Sequence, residues 1–330
     1  MAREQMPTAK RIRRKNRRNR MVFTILVMVL VLILMSGLLY ILWLYRQADD
    51  VQETYQQIID EVVTEDDTPN DAGKKSGIDR WLLRKINFDR LSNINSDTKT
   101  WVFIPHTIID YPVVQEQKLN EYFYLHHNIY KSYSSLGTVF TPKEPEDMDD
   151  AHMLLFAHRF FYTNAMFSHL SDYGSKEYYK NHKYVYMYYP DHSERWSVWA
   201  ATKTNEDDMV YDIPYTLGSD DYKKLINHLD STKLYDTGVT CDEMTRIVTL
   251  STCRGNTYGG PYRFTLSCVK DCEYYYADKK LVKHDELPKE EVVIPDKEYE
   301  EYQDSETEDT DMDEATKKWI DGIRKKNMKQ

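Results

Sequence analysis

The sequence has few cysteines and lacks the spacing of a zinc site. The chain has 330 residues, and its four cysteines are Cys241, Cys253, Cys268 and Cys272. No two of them form a Cys-x-x-Cys pair, the spacing from which structural zinc sites are usually built. We therefore predict no bound metal and no cofactor. If Cys253 stays a free thiol, the other three can form at most one disulfide, and we expect none.

Charge is missing from one long segment near the N-terminus. Residues 21–45 contain no Asp, Glu, Lys or Arg. A helix of about 20 apolar residues spans a bilayer, and this run is too long for the hydrophobic region of a signal peptide. No small-residue cleavage site follows it. We predict a retained transmembrane anchor over residues 21–45, bound to lipid.

The residues before this segment are strongly basic. Residues 1–20 carry nine Lys and Arg and one Glu, although the whole chain has a net charge of −10. An excess of Lys and Arg marks the cytoplasmic side of a membrane span. We predict a single-pass protein with residues 1–20 in the cytoplasm and an acidic extracellular part. Because the basic cluster directly adjoins the span, we do not expect it to bind nucleic acid.

Composition divides the extracellular part into three. Residues 46–76 are polar and acidic and predict a helical or flexible stalk. Residues 77–284 contain short runs of β-branched and aromatic residues separated by Pro, Gly, Asp and Asn, a pattern typical of strands. Residues 285–330 are acidic with a basic C-terminal end and predict disorder.

The strand-rich part also has two helical patterns. Apolar residues recur at roughly helical spacing after Gly77, and an amphipathic pattern covers residues 218–233. With about eight strands, these patterns predict a mainly β fold. We expect an eight-stranded β-barrel with an N-terminal helical segment and one inserted helix, preceded by the transmembrane helix.

Two neighbouring strands carry a candidate reactive pair. In "TRIVTLSTC" (245–253) and "YRFTLSCV" (262–269), alternation gives each strand one polar face. If the strands pair as an antiparallel hairpin, Cys253 and Arg263 lie on the same face at the same end. A nearby cation favours a nucleophilic thiolate, and a guanidinium can stabilise an oxyanion.

Acyl transfer also needs a proton donor, normally a histidine. His158 ends the apolar run "HMLLFAH" just before a loop, where a strand scaffold presents a side chain well. His126 and His127 lie in a loop-like segment and are the competing candidates.

These residues resemble one family, the sortases of Gram-positive bacteria, and class B in particular. "TLSTC" with Arg ten residues later is similar to the sortase signature around the nucleophile. Three further segments resemble class B patterns: "TWVFIPHTIIDYPVVQ", "EYFYLHHNIYKSYSSLGTVFTP" and "LLFAHRFFYTNAMFSHL". The resemblance covers roughly residues 77–282. Three positions depart from the family pattern: Ala157, Arg159 and Arg254.

The resemblance implies a membrane-anchored cysteine transpeptidase with a sortase-type barrel. It selects His158 over His126 and His127. It implies Cys253 as nucleophile, His158 as general acid/base and Arg263 as the residue that stabilises the oxyanion and positions substrate. The candidate substrate contacts are Ser251, Thr252 and Tyr262.

The resemblance also implies the partners. They are secreted proteins with a C-terminal sorting motif, of the Asn-Pro-x-Thr type in class B, and an amine of a peptidoglycan precursor. Three alternatives stay open: a pilin-polymerising sortase with a lysine acceptor, a cysteine protease, and a non-catalytic membrane-anchored binding domain.

Overall fold

A computed structural model describes most of the chain. The described residues are 6–65, 78–118, 120, 122–143, 150–160, 164–253 and 262–284. The predicted acidic tail and Arg254 lie outside them, as does most of the second half of the predicted stalk. The chain divides into two compact units, one ending at Asp50 and one beginning at Val51.

The first unit consists, in its described residues, of the first part of helix α1 (Met6–Val62). Residues Arg17–Trp43 form a stretch that contains an 18-residue window with a mean hydropathy of 3.0, and none of that window is buried. By length and composition this stretch can cross a membrane. It overlaps the predicted anchor.

The second unit begins with the last turns of α1. Tyr55, Ile58 and Val62 share one face of the helix, and all three are buried. The Tyr55 ring meets Tyr111 edge-on at 5.0 Å, and its hydroxyl donates a hydrogen bond to Thr138. This part of the predicted stalk therefore packs within the second unit.

Eight strands in the described part of the second unit form one curled sheet. Their bounds are β3 Thr98–Phe103, β4 Asp110–Val114, β5 His152–Phe156, β6 Tyr184–Tyr188, β7 His192–Asn205, β8 Ile247–Cys253, β9 Tyr262–Tyr275 and β10 Lys280–Lys283. Seven of them follow the order β4-β3-β6-β7-β9-β8-β5, and β10 pairs with β9. Neighbours are antiparallel except for the parallel pair β5 and β8.

A single residue links the two edges of this sheet. Phe140 bridges Val114 of β4 on one side and Phe156 of β5 on the other. The Phe140 and Phe156 backbones exchange both hydrogen bonds, at 3.0 and 2.7 Å. The sheet thereby curls into a barrel, which confirms the predicted fold class.

The helical segment predicted after Gly77 is shorter and more broken than the apolar spacing suggests. Arg80–Leu83 form a 3₁₀ helix, and Arg84–Ile86 form β2, which pairs with β1 (Val63–Glu65). Helix α2 (Phe88–Ile94) starts only after this pairing, where the Asn87 side chain accepts a hydrogen bond from Arg90 N.

In the described part of the chain, two further α-helices lie between the strands. Helix α3 (Lys176–Asn181) precedes β6. The predicted inserted helix is α4 (Asp220–Thr232), with Ser219 as its N-cap and Tyr222, Leu225, Ile226 and Leu229 buried. Helix α4 and the loops around it belong to the connection from β7 to β8, the strand whose last residue is Cys253.

Candidate active site

Strands β8 and β9 form the predicted hairpin. They pair antiparallel with Cys253 directly opposite Arg263. The Thr249 and Ser267 hydroxyls, from a paired position farther along, lie 2.8 Å apart. The two polar faces therefore coincide, as the alternation predicts. The side chain of Cys253 lies outside the described part of the structure.

Strand β5 brings His158 to the other side of β8. It runs parallel to β8, with Phe156 opposite Ser251. Beyond that pair, Ala157 N donates to Ser251 O at 3.3 Å, and the Thr252 hydroxyl donates to Ala157 O at 2.9 Å. Continued by two residues, the same pairing sets His158 level with Cys253 and on the same face.

The imidazole of His158 is held by a loop backbone. Its Nε2 lies 2.8 Å from the carbonyl oxygen of Leu125, and the side chain is buried. A carbonyl only accepts, so Nε2 carries the hydrogen in the neutral ring. Nδ1 is then the ring nitrogen without a hydrogen in this neutral form.

Gly137 leaves room for the Leu125 carbonyl that contacts His158. It has a φ of +61°, and a Cβ placed there would lie 2.5 Å from Leu125 O and 2.6 Å from Tyr124 O. Neither distance is possible for a real side chain, and L-residues rarely adopt this φ. The loop that holds His158 therefore requires glycine at this position.

Other histidines have different environments. The His126 ring lies 5.7 Å from the His158 ring, so the loop histidine that the family resemblance sets aside borders the one that it selects. His127 stacks on Phe123 at 3.7 Å, and its Nδ1 bonds the Phe123 carbonyl, contacts within its own loop. His152 is fully buried beside Thr249, and burial lowers its pKa to about 3, which keeps it neutral.

Arg263 has a carboxylate partner that sequence reasoning missed. Its guanidinium is nearly buried, and Nη2 lies 3.3 Å from Glu206 Oε2. Nη1 donates to the Tyr262 carbonyl at 3.1 Å. Glu206 is the first residue after β7, whose Thr204 pairs with Arg263. Alternation along β7 carries Glu206 onto the same face as Arg263.

The three candidate substrate contacts differ in exposure. The Ser251 hydroxyl is buried, 2.8 Å from the Tyr211 hydroxyl. Thr252 lies on the opposite face from Cys253, and its buried hydroxyl ties β8 to Ala157, as a structural contact does. The side chain of Tyr262 is 55% exposed beside Arg263. Tyr262 thus stays the most accessible of the three.

The described cysteines have little thiolate character. Cys241, Cys268 and Cys272 are free thiols. Burial raises the pKa of Cys241 and Cys268 far above the usual value, and it raises the pKa of Cys272 to about 11. A high thiol pKa makes these three poor nucleophiles near neutral pH.

Among the residues that the structure describes, one cluster of possible metal ligands lies far along β9 from Arg263. Donor atoms of His192, Glu194 and Glu273 lie within 4.8 Å of one another. The ammonium of Lys270 lies 2.5 Å from Glu194 and 2.6 Å from Glu273. The chain therefore supplies its own cation to these carboxylates.

Comparisons with known proteins give one consistent result. Sortase B of Staphylococcus aureus (strain NCTC 8325 / PS 47) is 25% identical over 166 residues, covering 50% of this chain and 67% of the relative. Sortase B of Listeria monocytogenes serovar 1/2a (strain ATCC BAA-679 / EGD-e) is 27% identical over 166 residues, covering 49% and 65%. The match thus spans about two thirds of these curated relatives. No family model matches the chain.

A solved structure agrees with these relatives. The X-ray structure of Clostridium perfringens sortase B matches with a TM-score of 0.50 and 27% identity, covering 56% of this chain and 98% of that one. The similarity in sequence and the similarity in fold lead to the same group of proteins. In sequence and in fold, the chain is similar to class B sortases.

Proposed function

We propose that the chain is a membrane-anchored cysteine transpeptidase that cleaves a C-terminal sorting motif of secreted proteins and joins them to a peptidoglycan amine. One observation carries the proposal. Adjacent strands β5, β8 and β9 bring His158, Cys253 and Arg263 to neighbouring positions at one end of the sheet. A proton donor, a thiol and a guanidinium are the groups that acyl transfer through a thioester requires.

In the proposed reaction, the Cys253 thiolate attacks the carbonyl carbon of the scissile peptide bond and forms a carbon–sulfur bond. The N–H groups of Arg263 stabilise the negative charge on the carbonyl oxygen. The carbon–nitrogen bond then breaks, and His158 gives its Nδ1 proton to the leaving amine. An incoming amine attacks the thioester, loses a proton to His158 and releases the thiolate.

Two further findings support the substrates and the location. Solved structures of S. aureus sortase B include a substrate complex, and a further sortase B structure contains a glycine tripeptide. We infer by this likeness that a sorting peptide and an amine occupy this site in turn. We further propose that residues 21–45 anchor the enzyme in the membrane, with residues 1–20 in the cytoplasm and the catalytic unit outside. Such tethering raises the effective concentration of membrane-bound substrates.

The test uses the detergent-solubilised full chain and a peptide library that includes Asn-Pro-x-Thr sequences. Each peptide is incubated with triglycine, with a lysine-containing peptide, or with water alone, and products are identified by mass spectrometry. We expect cleavage of one motif class and an amine-linked product. A product only with the lysine peptide would favour the pilin-polymerising alternative, and hydrolysis alone would favour the protease.

The matched variants test the residues. Cys253→Ala should abolish product formation, and Arg263→Ala and His158→Ala should lower it by about 100-fold or more. Cys241→Ser, which removes a high-pKa thiol, should leave it unchanged. Full activity of Cys253→Ala would overturn the proposal, as would labelling of native Cys241 or Cys272 by a thiol reagent while Cys253 stays unlabelled.

A further inference from the structure

The candidate site has a fourth member on the next strand. In the sheet order β7-β9-β8-β5, Arg263, Cys253 and His158 lie level with Thr204 of β7. Glu206 lies two residues beyond Thr204, diagonally across from Arg263. Glu206 extends β7 by one residue, Arg263 and Cys253 are directly paired, and His158 extends β5 by two. Because all four positions alternate onto one face, the acid lies on the far side of Arg263 from the thiol.

Arg263 is a cation in a nearly dry position. Its side chain is 4% exposed, while that of Glu206 is 25% exposed. A buried charge is costly unless an opposite charge or hydrogen bonds compensate it. The contact from Nη2 to Glu206 and that from Nη1 to Tyr262 O hold two corners of the guanidinium, so they fix the direction of its plane.

The segment that carries Glu206 is itself held in place. Asp207 N donates to the Asn205 side chain at 2.9 Å, which makes a tight turn directly after β7. Both carboxylate oxygens of Asp208 lie 3.0 Å from His228 Nε2 on helix α4. The turn is therefore attached to strand β7 at one end and, through Asp208, to helix α4 at the other. Glu206 lies between these two attachments.

We propose that Glu206 is a positioning residue of this site, which orients the Arg263 guanidinium and offsets part of its charge. This proposal rests on the proposed function. Loss of the carboxylate has two opposite consequences. The guanidinium is no longer held in the direction in which it meets the oxyanion, so turnover falls. Its full positive charge is left to act on Cys253, so the thiolate forms more readily.

The experiment measures both consequences in the full chain. Glu206→Gln, Glu206→Ala and Glu206→Asp are compared with Asp207→Asn, which changes the same charge on an exposed neighbour. kcat and KM are measured with the motif peptide and triglycine. The rate of Cys253 alkylation by iodoacetamide is measured against pH, with the labelled site identified by mass spectrometry.

We expect Glu206→Ala and Glu206→Gln to lower kcat about tenfold or more, with a smaller change in KM. Below the alkylation midpoint, the same variants should label Cys253 about threefold faster. Glu206→Asp should recover most of the turnover, and Asp207→Asn should match the wild type. Glu206→Gln preserves the side-chain size and decides the matter if Glu206→Ala does not fold.

A loss of kcat without faster labelling would mean a merely structural role and overturns the proposal. Faster labelling without loss of kcat overturns it as well, as does a Glu206→Gln variant that behaves like Asp207→Asn. If Cys253→Ala keeps full activity, the proposed function fails instead. The alkylation profiles of the Glu206 variants still report whether the carboxylate acts on Cys253.

Discussion

Strand β9 carries two nearly buried cations whose surroundings differ. Arg263, near its start, contacts a partly exposed carboxylate at 3.3 Å. Lys270, seven residues later, contacts two buried carboxylates, Glu194 at 2.5 Å and Glu273 at 2.6 Å, and also lies over the Trp196 ring. Burial opposes ionisation of Glu194, but Lys270 and His192 together outweigh it and hold the Glu194 pKa below its usual value.

Under the proposed function, this difference separates a charge that stabilises the fold, Lys270, from one that takes part in the reaction, Arg263. The charge of Lys270 is compensated by the buried carboxylates of Glu194 and Glu273, so Lys270 contributes to the stability of the folded state. Arg263 has a longer contact with a carboxylate that water reaches, and it lies opposite Cys253. A guanidinium held in this way can give up part of its interaction with the Glu206 carboxylate and interact with a developing oxyanion instead, at a small cost in free energy.

The largest effect, a loss of stability that tests the contrast between Lys270 and Arg263, is expected for Lys270→Met. It leaves the carboxylates of Glu194 and Glu273 buried without their ammonium, which should lower the free energy of unfolding by about 3–5 kcal/mol. The kcat at a temperature where the variant is folded should stay near the wild-type value. Denaturant unfolding of the solubilised chain and peptide turnover measure the two quantities.

Two controls complete that test. Lys280→Met removes an exposed lysine from β10 and should change stability by no more than about 0.5 kcal/mol. Arg263→Ala should show the reverse of Lys270→Met, with turnover lost and a smaller change in unfolding. If Lys270→Met lost turnover as completely as Arg263→Ala while remaining folded, the division between the two cations would be wrong.

An intermediate effect is expected for Gly137→Ala, which tests the histidine side of the site. A Cβ at this position would displace the Leu125 carbonyl that holds His158 Nε2. We expect kcat/KM to fall about tenfold, because small displacements of a proton donor are costly. Gly238→Ala is the matched control, since Gly238 also has a positive φ but has no atom within 4 Å of the added Cβ.

Equal kinetics in the two glycine variants would show that the Leu125 carbonyl does not position His158. The melting temperature of each variant separates this question from backbone strain, which both substitutions introduce. A loss of activity in Gly137→Ala at a melting temperature close to that of Gly238→Ala would assign the effect to the histidine.

The sequence predicts the pairing of Cys253 with Arg263 but not the contacts that surround this pair, for physical reasons. Alternation alone decides which side chains of a hairpin share a face, so the residue pattern is sufficient to pair Cys253 with Arg263. Glu206 lies 57 residues before Arg263, and the Leu125 carbonyl lies 33 residues before His158. Those contacts depend on which strands become neighbours, which local pattern does not encode.

The same limit applies to the fold. Strand runs and the α4 pattern are sufficient for a barrel with an inserted helix. The closure by Phe140 is not predictable, because a single bridging residue leaves no periodicity. After Gly77, apolar spacing suggests a continuous helix, but pairing of Ile86 with Val63 takes part of that segment into a strand. Tertiary pairing overrides such a local preference.

The smallest effect concerns the pH dependence of the unfolding free energy, through His192 beside the Lys270 carboxylate contacts. His192 contacts Asp191 at 2.7 Å and Glu194 at 3.4 Å, and its ring stacks on Tyr189 and Tyr275. Burial lowers the pKa of His192, but the two carboxylates outweigh it and hold the pKa above the usual 6.5.

Because the folded state binds this proton more tightly than the unfolded chain, the contribution of His192 to stability is complete below pH 6.5. It is lost as the pH rises through the higher folded-state pKa. His192→Gln should therefore flatten the decline of unfolding free energy just above this pH, measured by denaturant unfolding at a series of pH values. An unchanged dependence of the unfolding free energy on pH in His192→Gln would show that the histidine does not contribute. The charge of Lys270 would then be compensated by Glu194 and Glu273 alone.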